Sequence, residues 1–353
     1  MNIASLLERT LQPSHPPGRL VGYLGHDVPV ELVLAAGALP IGLHGRADRP
    51  TPSADRYLES TFSPASRAVA EQWLNGELDD LEAVIFSRSD DSAQRLYYYL
   101  CELLRRGQCR GPKPLLYDIA TCDRPSSLAY TVDSTRLLAR QLGTWDNALP
   151  NAVQRVHERM RLLAQTADRP FSNQPARGSL TQRILRAADR NWSEDFDQAL
   201  HTAHDPSPAS AGAIRLMLIG STPADEQLHE AAERAGANIV ATLNAATPED
   251  HNHVAENVDA FARIARRCRT SSWREMLRSP QVVCTRAVGL QVSGVILWTL
   301  AEDSGLAWAA PRIERALAAQ GIAVLALPVQ PWNVPAATLD AVAHFATALK
   351  AGA

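Results

Sequence analysis

The stretch LVGYLGHDVPVELVLAAGALPIGL, Leu20 to Leu43, decides how the chain is read. Leu20 to Leu24 is an apolar run of strand type, a polar loop follows, Val30 to Ala36 reads as a helix and Leu39 to Leu43 as a second strand. Pro29 suits a first helical turn and Gly37 a helix end. Strands and helices alternating at this spacing mean a parallel sheet covered on both faces.

Outward from that unit the rhythm continues. Upstream, residues 3–12 read as a short amphipathic helix ended by the Pro-rich SHPPG. Downstream come a helix over Ser66 to Leu74, a turn at Gly76, a strand in LEAVIF, a helix over Gln94 to Arg106 and a strand in PLLYDIA. From Thr131 the texture changes: VDSTRLLARQLG, AVQRVHERMRLLAQTA and LTQRILRAADRNWSEDFDQALHTA carry helical periodicity with no strand between them. HDPSPASAGA reads as a linker.

The alternation then restarts. AIRLMLIG, NIVATL, SGVILWTL and AVLALPV read as strands; DEQLHEAAERAGA, HVAENVDAFARIARRC, PRIERALAAQGI and VPAATLDAVAHFATALKAG read as helices. The expected fold is α/β, two Rossmann-like doubly wound parallel-sheet domains joined by a helical segment. Its expected limits are an N-terminal α/β domain at 1–130, a helical segment at 131–204, a linker at 205–213 and a C-terminal α/β domain at 214–353.

Bulk properties narrow the function classes. Of 353 residues, 46% are hydrophobic and 21% charged, ordinary for a globular protein. A formal net charge of −3 points away from nucleic acid, and no apolar run reaches membrane-spanning length. The five cysteines (Cys101, Cys109, Cys122, Cys268, Cys284) are odd in number and irregular in spacing, which argues against a disulfide framework. MNIASLLERTLQ holds an acid and no apolar core of signal length, so a cytoplasmic protein is expected.

Few residues announce chemistry. Gly220, Ser221 and Thr222 offer backbone N–H groups before an expected helix, a weak phosphate candidate beside the plainer role of turn and cap. Glu31 in a first helical turn is favoured by the helix dipole, or else faces the cleft. His26 and His44 lie in polar loops near strand ends. His251 and His253 lack the spacing of a helical metal pair, so no metal is assigned. No nucleophile elbow occurs. Two strands each end in an acid pair followed by serine: Asp90-Asp91-Ser92 and Glu302-Asp303-Ser304. Helix capping explains one acid of each pair but not the recurrence.

Four blocks, in order, resemble the 2-hydroxyacyl-CoA dehydratase and benzoyl-CoA reductase type subunits: GYLGHDVPVELVLAAGALPIGL, TFSPASRAVAEQWLNGELDDLEAVIFSRSDDSAQRLYYYL, AIRLMLIGSTPADEQLHEAAERAGANIV and SGVILWTLAEDS with IERALAAQGIAVLALPV. The resemblance implies two Rossmann-like domains with a helical element and a subunit that pairs with a related one. It also implies an acyl-CoA thioester bound at a four-iron cluster held by three cysteines, with one electron delivered by an ATP-driven activator.

This sequence departs from that pattern at the ligands. The three cysteine positions are occupied by Ser63, Asp90 and Glu302; Asp91 and Asp303 stand as the retained aspartates, Asp91 as the expected cap, and Arg67 is retained. The arginine-bearing features expected at ATLNAATPED and PWNVPAATLD are missing. Because such clusters depend on thiolates, and hard oxygen donors suit them poorly, a standard iron–sulfur cluster is not expected.

Three functions follow. The favoured one is a dehydratase-like subunit without the usual cluster ligands, binding an acyl-CoA-type substrate or pairing, as a hetero- or homodimer, with a cluster-bearing homologue. Whether such a subunit is itself catalytic is left open. A second is altered chemistry in which Ser63, Asp90 and Glu302 bind a divalent metal or transfer protons. A third is a non-catalytic binding or regulatory scaffold. Glu31, Arg67, Asp91, Asp303 and Ser221 are the remaining cleft or substrate-binding candidates.

Overall fold

A computed structural model describes residues 3–10, 17–167, 176–202, 209–210, 212–249 and 259–352. Helix α1 (Ile3–Thr10) precedes β1 (Leu20–Leu24), α2 (Val30–Ala35), β2 (Leu39–Gly42), α3 (Pro52–Asp55), α4 (Pro64–Leu74), β3 (Ala83–Ser87), α5 (Asp91–Arg105) and β4 (Lys113–Tyr117). Four helices follow: α6 (Pro125–Leu142), α7 (Leu149–Ala167), α8 (Gly178–Arg190) and α9 (Glu194–Thr202). The second α/β run is β5 (Ile214–Gly220), α10 (Gln227–Arg234), β6 (Ala237–Leu243), α11 (Ala260–Arg269), α12 (Ser272–Arg278), α13 (Gln281–Gly289), β7 (Gly294–Trp298), α14 (Ser304–Ala318), β8 (Ala323–Ala326) and α15 (Ala336–Ala351).

The two sheets are parallel throughout and share one topology, β2-β1-β3-β4 and β6-β5-β7-β8. The inner strands β1, β3 and β7 are buried along their whole length, which is why they read as unbroken apolar runs. Pro40 and Pro114 fall on the edge strands β2 and β4, where a missing ladder donor is tolerated. In each sheet the strand order reverses direction at the inner pair, β1/β3 and β5/β7. The crevice beyond their carboxyl ends is where such sheets place ligands.

Each sheet is packed on both faces. One face of the first sheet carries Val21, Tyr23, Ile85, Leu115 and Tyr117 against α2, α6 and α7, and this core also takes in Ile264 and Cys268 of α11. A helix from the β6–β7 crossover therefore helps to close the first sheet. The other face is filled by Phe62, Val69, Trp73, Leu96 and Leu100 from α4, α5 and the turn before α4. A separate cluster ties α1 to α8 and α9 through Leu7, Ile184 and Phe196.

The structure corrects several element readings. The helical region opens at Pro125 rather than Thr131, with proline in the first turn of α6. The long helix expected from Leu180 onward breaks between α8 and α9. There the Asn191 Oδ1 accepts from Ser193 N (3.0 Å) and the Ser193 hydroxyl caps the next helix at Phe196 N (3.2 Å). α14 starts at Ser304, not at Pro311, because Asp303 caps it from in front and Pro311 sits inside the helix. α12 and α13 were not expected, being short and weakly patterned. The first part of the helix expected over HVAENVDAFARIARRC, including His253, lies outside the described residues, as does the preceding His251.

Candidate functional site

Loops beyond the carboxyl ends of the two sheets meet. A Cβ on Gly45, beyond β2, would stand 2.8 Å from the ring of Trp332, beyond β8. Just past the carboxyl end of β1, Gly25 turns the chain with φ 113°, and a Cβ there would meet Ser87 Cβ at 2.8 Å. Only glycine fits that turn. It sets His26 and Asp27 above the switch point of the first sheet.

Asp27 is only 8% exposed. Its Oδ2 accepts from Arg274 Nη1 at 3.1 Å, while Oδ1 is buried with no hydrogen-bond partner. His26 is open to solvent, yet the protein crowded around it lowers its pKa by desolvation, and Asp189 pulls the other way. Asp189, at the end of α8, lies 3.3 Å from His44 Nε2, an ion-pair distance without hydrogen-bond alignment. It also accepts the Tyr23 hydroxyl, on its carbonyl at 3.2 Å and on Oδ1 at 3.3 Å. Burial, the largest single influence, works to raise the Asp189 carboxyl, but His44, His26 and Arg159 together outweigh it and the pKa falls. Gly42 makes this approach feasible: a Cβ there would lie 2.7 Å from Asp189 Cβ and 3.2 Å from His44 Nε2.

The acid pairs beyond β3 and β7 are placed differently from one another. Asp90, not Asp91, caps α5: its Oδ1 accepts from Ala93 N at 2.8 Å. Desolvation raises its pKa, the capping N–H partly opposing. Asp91 is exposed in the first turn with Arg95 Nη1 3.6 Å away. Ser63 caps α4 by accepting from Ser66 N (3.3 Å), and its own N–H donates to Ser92 Oγ (2.9 Å), so the N-termini of α4 and α5 are stitched together. In the second half the later acid is the cap, Asp303 Oδ1 accepting from Leu306 N at 3.1 Å. Glu302 precedes it with Oε2 buried and unpartnered, as is Thr299 Oγ1. Neither a hydrogen bond nor an ion pair joins Glu302 to Ser63 or Asp90. Among the described residues no three His, Cys, Asp or Glu side chains are grouped to hold a metal ion.

The other candidates are taken up by the fold. Ser221 does not form a phosphate nest: its N–H donates to Trp298 O (2.8 Å), and its hydroxyl donates to Asp303 Oδ2 and accepts from Leu300 N (both 3.0 Å). The next helix, α10, starts only at Gln227. Arg67 donates to Glu59 O (2.8 Å) and pairs with Asp55, holding the α3 turn. Glu31 neither merely complements a helix dipole nor faces the cleft. It is buried, and both carboxylate oxygens accept from Arg267 of α11, at 2.6 and 2.8 Å.

That pair belongs to a clamp that sequence reading missed. Arg267 also donates to Val28 O, and Arg269 to Ala120 O and Cys122 O. With Arg274 on Asp27, the α11–α12 segment holds the loops leaving β1 and β4. The run RRCR (Arg266 to Arg269) was its only local trace.

A family model described as 2-hydroxyglutaryl-CoA dehydratase, D-component, matches residues 26–330. The chain belongs to this family. The match begins at His26, just past β1, and ends at Gln330, so it takes in β2 to β8 and the segments beyond their carboxyl ends. No curated protein matches the sequence. Among solved structures, the SBP FpvC from Pseudomonas aeruginosa in complex with Mn2+ aligns at 12% identity and TM-score 0.25, over 95% of this chain and 98% of that one. A likeness that loose adds nothing to the topology already described. Among the described residues of this family member, no helix is long and apolar enough to cross a membrane.

Proposed function

We propose that this dehydratase-family chain is a cluster-free subunit that binds an acyl-CoA-type thioester in the crevice between its two carboxyl edges and works beside a homologous, cluster-bearing subunit. One observation carries the reading. The family match runs through both sheets, while Ser63 and Asp90, at two of the three positions where the resemblance puts cysteines, act as helix caps.

The side chains present do not fit a four-iron cluster. Oxygen donors replace thiolates at all three positions, and no hydrogen bond or ion pair joins Glu302 to the other two. The chain's own cysteines lie elsewhere: Cys101 and Cys109 are half-buried, Cys122 is exposed, and Cys268 and Cys284 sit in two different cores. Burial pushes the Cys268 thiol up to about 12, far from the thiolate that a metal needs. A chain so equipped contributes binding and positioning, and electron transfer falls to its partner. The family's description as a component of an enzyme supports such a partnership.

Anaerobic reconstitution with iron and sulfide tests this directly. The expected result is no acid-labile sulfide retained after desalting and no visible absorbance of a bound cluster. A stoichiometric cluster on the purified chain would overturn the proposal.

A further inference from the structure

We propose that the outer side of β8 is the interface through which the chain pairs with a second copy of itself, about a two-fold axis at Leu325. The inference does not rest on the thioester reading.

An edge strand with free N–H and C=O groups is a template for another strand. Of the four edge strands, β2, β4, β6 and β8, the first three are closed. α8 lies against two of them. Asn238 of β6 accepts from Gly178 N (2.8 Å) and donates to Ala176 O (3.0 Å), while a Cβ on Gly42 of β2 would stand 2.7 Å from the Asp189 Cβ. β4 opens with the exposed Lys113 followed by Pro114, a charge and a missing donor that both discourage pairing. β8 has no such guard. It reads AVLA, none of its residues is buried, and among the described residues no strand lies on its outer side.

Composition sets the same region apart. In a chain that is 21% charged, no charged residue occurs from Ala316 to Leu339. Of those 24 residues only Leu317, Leu327, Gln330, Val334 and Thr338 are buried. The cores on the two faces of the sheet also reach β8 unfinished, with Val324 half-buried on one and Leu325 on the other. A second copy fits this surface because a two-fold axis sets residues close to their own counterparts. Like charges placed so would repel, and an uncharged patch is complementary to itself. Its size is right as well: with the half-buried Ala310 of α14 and Phe345 of α15, the open residues match the roughly 20–30 a side of a standard interface.

The backbone gives the register. Leu327 N donates inward to Leu297 O at 3.2 Å. By the two-residue period of a strand, Val324 and Ala326 turn their N–H and C=O groups outward. An antiparallel pair centred on Leu325 joins Val324 of each copy to Ala326 of the other by reciprocal N–H···O=C bonds. Pro328, with no donor, ends the stretch that can pair. The sheet of one copy then continues into the sheet of the other.

Sedimentation velocity and light scattering on the purified full chain, across the micromolar range, test the assignment. The expected result is a dimer. Ala326→Pro removes an outward N–H and leaves the inward ladder intact, and Ala326→Lys puts a charge on the edge at an exposed position. Each is expected to weaken the dimer at least about tenfold. A native chain that stays monomeric, or a dimer that survives both variants, overturns the proposal. A chain that is monomeric alone and pairs only with a homologous subunit overturns it too, since the edge then has another occupant. Amide hydrogen exchange on the native chain keeps the test open if a variant does not fold. Exchange at Val324 and Ala326 is expected to slow as protein concentration rises, and exchange independent of concentration rules the interface out.

Discussion

Asp90-Asp91-Ser92 and Glu302-Asp303-Ser304 look like one motif written twice, yet the two halves use it one residue out of step. Beyond β3 the first acid caps the helix and the second lies open to water; beyond β7 the second acid caps and the first points an unpartnered oxygen inward. Capping geometry accounts for the offset. α5 starts directly behind Asp90, whereas the chain beyond β7 first bridges to Gln330 through Leu300 before α14 begins. The two edges differ in their tethers as well. The first is clamped by arginines of α11 and α12, although Asp27 keeps one oxygen without a partner; at the second, Thr299 and Glu302 keep polar atoms without partners.

Breaking the clamp should have the largest effect. Glu31→Gln leaves Arg267 buried without its counter-charge, and a loss of about 3–5 kcal/mol in unfolding free energy is expected by urea titration. A change under about 1 kcal/mol would mean that the first edge is no more firmly tied than the second.

The histidines separate the halves by pH. His229 of α10 is 1% exposed, and burial lowers its pKa from 6.5 to about 4, whereas His26 meets water. Because the unfolded chain binds this proton more readily, the stability held above about pH 6.5 drains as pH falls toward 4, by about 3 kcal/mol in all. His229→Gln should flatten most of that acid limb in denaturation curves recorded between pH 7.5 and 4.5, while His26→Gln, whose pKa is lowered less, should trim it only slightly.

The offset itself is tested by smaller changes. Asp90→Ala and Asp303→Ala should each cost about 1 kcal/mol and Asp90→Asn nearly nothing, since asparagine caps as well as aspartate. Asp91→Ala and Glu302→Gln should fall within about 0.5 kcal/mol of the native chain by the same measurement. Were Asp91→Ala the costly one, the cap would sit where the sequence alone had put it.

The strands were legible because parallel strands buried on both sides are apolar runs whatever surrounds them, as with LVGYL and GVILW. Helix starts were less so. The side chain of Asp303 sets the start of α14, and Pro311 misled because proline usually marks a first turn. The break at Asn191 was visible in principle, since Ser193 is a good cap ahead of an acidic first turn. The clamp was not legible by any local rule. Glu31 and Arg267 are 236 positions apart and Asp27 and Arg274 247, and no periodicity couples residues so distant. Asp90 and Glu302 stood out as recurring acid pairs at strand ends, whereas Ser63 stood out only against a family pattern.

The insertion of α11 into the first sheet's core has a consequence for synthesis. Ile264 and Cys268 cover residues that the ribosome has made long before. At about 5–20 residues per second, the face formed by β1, β3 and β4 with α2, α6 and α7 waits on the order of ten seconds for its last helix. The amino-terminal half therefore emerges as an open structure with an apolar seam, and it becomes a finished unit only when the later half has supplied the piece that closes it.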